Sequence, residues 1–176
     1  MTDHPLRFAT VGTPPGPLTV LTAGPTVVAA GFTTDLNMLT ARIPGRRPSA
    51  EDPAEGALPG PVHDAIAAYF DGDLAAWDGL DVARPGSGFQ QQAWDALRRV
   101  PPGRPVTYTE LAARSANPRA VRAAASACAR NPIAPFVPCH RVVRRDGGLG
   151  GYAFGLPIKQ WLLDHESSPT ADQSSG

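Results

Sequence analysis

Cys139 and His140 stand side by side in "IAPFVPCHRVVRRDGG", residues 133–148, and Cys128 is the only other thiol in the chain. A thiolate attacks carbon, whereas an unperturbed cysteine, with a pKa of about 8.5, is mostly protonated at neutral pH. Cys139 therefore needs a base or a positive environment, and the next residue is an imidazole. Neighbouring side chains of an extended segment point to opposite faces. Either a water joins the two groups, or Pro138 bends the chain until both line one pocket. Upstream, Asn131 and Pro132 mark a turn that can return the Asn131 amide to this segment. A cysteine after "FV" also suits a buried small hydrophobe, so its surroundings must decide.

The elements around the motif divide the chain in two. Three β-rich runs, "LRFATVG", "GPLTVLTAG" and "PTVVAAGFT", are punctuated by Gly and Pro and predict an antiparallel meander. "IPGRRPSAEDPAEGALPGP" reads as a mobile surface loop, and "PVHDAIAAYFDGD" carries Val62, Ile66, Tyr69 and Phe70 at helical spacing. "DGLDVARPGSG" predicts a last strand and a linker, which places an α/β domain over 1–84. Residues 88–166 change character. "SGFQQQAWDALRRVP" predicts a helix with Ser87 as N-cap and Phe89, Ala93, Trp94 and Leu97 on one face. "YTELAARSA" and "RAVRAAASACARN", separated by a turn at "NP", outline a helix-turn-helix. Trp94 and Trp161 are expected in the core, Cys128 in packing, and residues 167–176 form a tail expected to be disordered.

Net charge is zero, but residues 1–85 carry five Arg against ten acids, while residues 86–166 carry ten Arg and Lys159 against five acids. One basic half fits a polyanion partner. The helix "RAVRAAASACA" is built mostly of Ala and Ser, with Arg119 and Arg122 spaced to share one side. Small side chains let a helix backbone come close to what it faces, which suits a narrow minor groove better than base-edge readout in the major groove. A crowded protein core is the competing explanation. No run approaches the roughly 18 apolar residues of a membrane span, and "MTDHPLRFATVG" lacks a basic segment followed by an apolar core. A cytoplasmic setting with reduced thiols is expected.

Residues 88–166 closely resemble the O6-alkylguanine-DNA alkyltransferase family. The hallmark is Pro-Cys-His-Arg followed by two aliphatics, here residues 138–143, preceded by "VTYTELAARSANPRAVRAAASACARNP" and followed by "GGLGGYAFGLPIKQWLLDHE". The resemblance implies a ribonuclease-H-like N-terminal domain of antiparallel strands plus helix, and a mostly α winged-helix DNA-binding domain. It also implies the chemistry: Cys139 takes an alkyl group from O6 of guanine, or from O4 of thymine, in duplex DNA, once and irreversibly. The base must first be flipped out of the stack.

By the same resemblance, His140 draws off the thiol proton through a water, Glu166 orients the imidazole, and Asn131 fixes the turn that presents the cysteine. Tyr108 donates to a guanine ring nitrogen. Arg122 enters the space the base leaves, with Arg119, Ala123, Ala124, Ala125 and Ser126 against the minor groove. Gly151, Tyr152, Ala153 and Val142 shape the alkyl pocket, and Arg141 ties the motif to neighbouring backbone. The chain departs from the family pattern at Ala124, Ala125, Ala153 and Phe154. No cofactor and no obligatory protein partner are implied, and a monomer is expected. The zinc site of some members cannot be built from an N-terminal half without cysteine. A damage-binding module without transfer, a cysteine hydrolase and a redox sensor are the competing readings. The first replaces the reactive cysteine, the second leaves the helix-turn-helix unexplained, and the third requires Cys128 to leave a helix.

Overall fold

The computed structural model describes residues 4–46 and 51–167. They fall into two compact units, Met1–Pro85 with Pro132–Phe136, and Gly86–Asn131 with the chain from Val137 onward.

In the first unit, β1 (Leu6–Thr13), β2 (Gly16–Ala23) and β3 (Thr26–Gly31) form the expected antiparallel meander. Every residue of β2 from Leu18 to Ala23 is buried, as befits a strand flanked on both edges and covered on both faces. The Pro-rich segment holds more structure than its composition predicts. Ala54–Glu55 forms β4, which pairs in parallel with Arg7–Phe8 and makes the sheet mixed, in the order β3-β2-β1-β4. Residues 47–50 of that segment lie outside the described residues. A short helix, α1 (Leu36–Thr40), was not anticipated; Asp35 caps it by accepting from the Asn37 and Met38 amides. The helix α2 (Gly60–Phe70) buries Val62, Ala65, Ile66 and Tyr69, the three-and-four spacing of one apolar face. Tyr69 stacks on Trp77 with ring centroids 3.6 Å apart.

The strand expected near residues 80–83 is only a parallel bridge between Val82 and Val27. Pro85 has no N–H with which to extend a ladder, and the Gly86 amide donates instead to Gln91 Oε1. Although the sequence places all of 88–166 in one domain, Pro132–Phe136 belong to the first unit. Ala30 donates to the Pro132 carbonyl, Ala134 donates back to Ala30, and Phe136 meets Trp77 edge-on.

In the second unit, α3 (Gly88–Arg98) buries Gln91, Ala93, Trp94, Ala96 and Leu97. Ser87 occupies the N-cap position, but its hydroxyl makes no cap bond. Trp94 Nε1 donates to the Ala127 carbonyl at 2.9 Å, tying α3 to the helix that carries Ala127. The helix α4 (Tyr108–Arg114) opens on a capping box: the Glu110 amide donates to Thr107 Oγ1 and the Thr107 amide to Glu110 Oε1, both at 3.1 Å. The recognition-type helix, α5 (Val121–Ala129), starts later than its composition predicts. Asn117 accepts from the Arg119 amide and holds the Asn-Pro turn, so Arg119 lies before the helix and does not share a helical face with Arg122.

Two short strands, β5 (Val106–Thr107) and β6 (Val142–Val143), pair in parallel. Helix α6 (Leu156–Ser167) follows, and the tail expected to be disordered lies, from residue 168, outside the described residues. Trp161 is only half-buried and stacks on His165 at 4.8 Å, so it is not the core residue its spacing predicts. No helix among the described residues is long and apolar enough to cross a membrane.

Candidate active site

Pro138, with ψ of 67°, turns the chain out of an extended path, and Cys139–Arg141 form one turn of 3₁₀ helix. Side chains separate by about 120° in such a turn, so Cys139 and His140 are not thrown to opposite faces. Asn131 Nδ2 donates to the Val137 carbonyl at 2.7 Å, which pins the segment just before the bend. Cys139 is 8% exposed and His140 fully buried.

Behind the turn lies a closed ionic group. Glu166, on the buried face of α6 with Lys159 and Leu162, accepts from His140 Nε2 at 2.8 Å. Its two carboxylate oxygens also accept from Arg141 Nε at 2.8 Å and Nη2 at 2.9 Å, a bidentate pair. The remaining Arg141 amine, Nη1, donates to the Val100 carbonyl at 2.7 Å. Burial alone would push the Glu166 carboxyl up. In the acid range where the carboxyl titrates, the charge and hydrogen bond of His140, with the two bonds from Arg141, overcome burial and hold it far below the usual carboxylate range. Burial pushes His140 down, against the pull of Glu166, so its imidazole is neutral at pH 7.

These facts fix the tautomer. A carboxylate can only accept, so Nε2 carries the proton and Nδ1 presents a bare lone pair. His140 Nδ1 is buried and has no hydrogen-bond partner among the described residues. A neutral imidazole held by a carboxylate, with its free nitrogen inside the protein and a thiol on the adjoining residue, is the kind of arrangement that general-base activation of a nucleophile requires.

Tyr108 starts α4 and is half-buried. Burial raises its pKa, the Cys128 charge adds to this, and a hydrogen bond from the Gly151 backbone opposes both. The loop that carries Gly151 passes very close: Gly150 has φ of +74°, and a Cβ there would lie 2.6 Å from the phenol oxygen. Gly150→Ala combines left-handed backbone strain with that overlap, and is expected to destabilise the unit by about 1–3 kcal/mol. Chemical denaturation would read this as a lower midpoint at unchanged slope.

Tyr152 meets Phe154 edge-on at 5.6 Å, and its hydroxyl is buried without a hydrogen-bond partner among the described residues. Gly151 and Ala153 are exposed beside it, whereas Val142 is fully buried in β6. On α5, Ala124 and Ala127 face inward. Arg122, Ala123 and Ser126 are exposed and Ala125 is half-buried, so the outer surface near the helix start is an arginine among small residues. Arg119 is exposed in the preceding turn. Cys128 is half-buried, and burial pushes its thiol strongly up, which leaves it protonated. Among the described residues no group of three or more His, Cys, Asp or Glu side chains is placed to hold a metal.

Sequence reasoning assigned no role to Lys159, which is fully buried beneath this site. The signal was available: Lys159, Leu162 and Glu166 follow the three-and-four spacing of one helix face, so a face containing leucine contains two charges as well.

The family profile of the 6-O-methylguanine DNA methyltransferase DNA-binding domain matches residues 88–168. The methylated-DNA-protein-cysteine methyltransferase of Salmonella typhimurium is 48% identical over 108 residues, which is 61% of this chain and 63% of that protein. The chain thus aligns with somewhat less than two thirds of that relative's length. The structure of Mycobacterium tuberculosis O6-methylguanine methyltransferase superposes with a TM-score of 0.75 at 30% identity, covering 92% of this chain and 93% of the other. A complex of the M. tuberculosis protein with DNA gives 0.74 at 31% identity, with 92% of each chain covered. The mixed sheet with its helix, the helical second unit and the Cys139-His140-Glu166 arrangement fall where these similarities lie, and the chain belongs to the methylated-DNA-protein-cysteine methyltransferase family.

Proposed function

We propose that the chain repairs DNA by direct reversal, moving an alkyl group from O6 of guanine in duplex DNA to Cys139. The observation that carries this reading is the buried lone pair of His140 Nδ1, on an imidazole held in place by Glu166 and carried by the residue directly after Cys139. In the reaction, a water passes the Cys139 proton to Nδ1 and the thiolate attacks the alkyl carbon. The carbon–oxygen bond breaks, its electron pair returns to the purine, and the Tyr108 phenol protonates a ring nitrogen. Guanine and a thioether result. A thioether carbon is a poor electrophile that a neutral imidazole and a phenol do not release, so each protein acts once, and the alkyl donor itself supplies the electrophile.

The lesion is delivered by α5 from the minor groove. Its exposed Ala123 and Ser126 allow close approach, and Arg122 fills the space left by the flipped nucleotide. The same site would accept O4-alkylthymine. The protein works as a monomer in the cytoplasm, on the nucleoid.

A duplex carrying one O6-methylguanine inside a restriction site tests the reading. Cleavability should return in proportion to protein added, one site per molecule, and a catalytic excess of restored sites or none would overturn it. Arg122→Ala is expected to slow repair of the duplex by about ten- to a hundredfold, matching a few kcal/mol of flipping cost. Repair of the same lesion in single-stranded DNA should change little. Equal slowing on both substrates would instead make Arg122 a phosphate contact.

A further inference from the structure

The cations of the second unit are not confined to the start of α5. Arg144 and Arg145 follow β6 directly, both exposed, in a turn that its own backbone holds. The Arg144 N–H donates to the Gly148 carbonyl at 2.9 Å and the Gly147 N–H to the Arg144 carbonyl at 3.1 Å. Gly147 supplies the left-handed φ of +89° that closes the turn. One carboxylate oxygen of Asp146 accepts from the Gly148 N–H at 2.9 Å, and the other accepts from Arg144 Nη2, also at 2.9 Å. Arg145 has no hydrogen-bond or ion-pair partner among the described residues. The turn thus sets two positive charges against one negative.

Beside this turn lies a cavity of about 550 Å³. Arg144, Arg145 and Asp146 line it from the turn, Tyr108 and Thr109 from the start of α4, and Val121 from the start of α5. All three segments belong to the second unit. Half of the lining side chains are charged and exposed, so an apolar ligand would find little to be buried against. An oxyanion suits the walls better: two guanidinium groups, a phenol and a hydroxyl can all donate to it. The exposed pair of Arg144 with Asp146 is of the weak kind, which lets Arg144 turn to a stronger anion.

The cavity's place between two functional elements identifies the anion. Tyr108 is the group that meets the purine, and Val121 directly precedes Arg122, which enters the space the base leaves. A flipped nucleotide turns about its own backbone, so the strand that carries it must run between these two. We propose that the cavity holds a backbone phosphodiester flanking the flipped nucleotide, bonded by Arg145 and by Arg144 drawn away from Asp146. This assignment rests on the reading of the chain as one that binds damaged duplex DNA.

Duplex affinity as a function of salt tests it, in a Cys139→Ser background that is not consumed. Arg145→Gln should weaken binding about five- to tenfold at about 0.1 M salt, and should make the slope of log affinity against log salt shallower by about one. Arg144→Gln added to it should make the slope shallower still. Arg104→Gln, which removes an exposed arginine outside the cavity, should change affinity by less than about twofold. An equal loss for Arg104→Gln would make the effect one of net charge and overturn the proposal.

A single uncharged methylphosphonate, placed in turn at each phosphodiester around the lesion, locates the contact. One position flanking the lesion should weaken binding about as much as Arg145→Gln does. The same DNA should cost the Arg145→Gln variant little more, because both changes remove one interaction. Losses that multiply at every position would overturn the proposal. So would displacement of the duplex by inorganic phosphate at matched ionic strength, which would make the cavity a site for the free anion. Should the wild type transfer no alkyl group, the functional reading fails, while these binding measurements still decide whether a phosphodiester occupies the cavity.

Discussion

Cys139→Ser is expected to keep its mass unchanged after incubation with duplex DNA carrying O6-methylguanine, under conditions in which the wild type gains about one methylene and then stops. A serine hydroxyl beside His140 has the same base but a far weaker nucleophile. A fall of at least about a thousandfold in transfer, near 4 kcal/mol of barrier, follows. Lesion binding should survive, because the variant changes one atom of a residue that is only 8% exposed and leaves α5 untouched. Peptide mapping of the wild type should place the added carbon on Cys139 and leave Cys128, whose thiol burial keeps protonated, unmodified. Alkylation at Cys128, or a mass gain in Cys139→Ser, would refute the assignment of the nucleophile.

Glu166→Ala is expected to cost about 3–5 kcal/mol of stability, because it leaves the Arg141 guanidinium buried without its counter-charge. For a domain of this size that is a large fraction of the total. Glu166→Gln keeps the shape and tests the charge alone. Its amide oxygen can still accept from one donor, but the bidentate ion pair is gone, and transfer should slow as His140 loses its fixed orientation.

The pH dependence follows from the direction of each shift. Glu166 is held well below its unfolded value of about 4.3, so its stabilisation is present above that pH and is lost as pH falls below it. His140 is pushed below its unfolded value of about 6.5. The unfolded chain therefore takes up that proton first, and the His140 contribution is complete above pH 6.5 and erodes beneath it. Urea midpoints of the wild type should fall steadily from pH 7 to about pH 3, and Glu166→Gln should lack the part of that fall below about pH 4.3. A variant as stable as wild type at pH 7, or a wild-type midpoint indifferent to pH, would remove the ionic group from this account.

The meander, α2, α3 and the paired helices of the second unit were legible because each rests on periodicity or on punctuation by Gly and Pro. The motif and its distant partner Glu166 were legible through resemblance, since nothing in local spacing joins residues 140 and 166. What escaped had other causes. The Cys139–Arg141 turn depends on the ψ angle of Pro138, which composition leaves open between two conformations. β4 gains its pairing from β1, roughly fifty residues away, and no local pattern announces a two-residue strand. Arg119 was drawn into the helix by its arginine spacing, while the Asn117 side chain ends the turn one step later. Lys159 was hidden because a lysine reads as surface until its acceptors, two backbone carbonyls, are known.

The detour of Pro132–Phe136 into the first unit sets an order of events at the ribosome. Domains usually complete themselves as they emerge, the N-terminal one first. Here the sheet can assemble early, but Ala30 waits about a hundred residues for the Pro132 carbonyl, and Trp77 about sixty for Phe136. The last piece of the first unit and Cys139, the proposed nucleophile, leave the exit tunnel three residues apart. Nascent chains therefore carry no reactive thiol at position 139 before the N-terminal unit has everything it needs to finish folding.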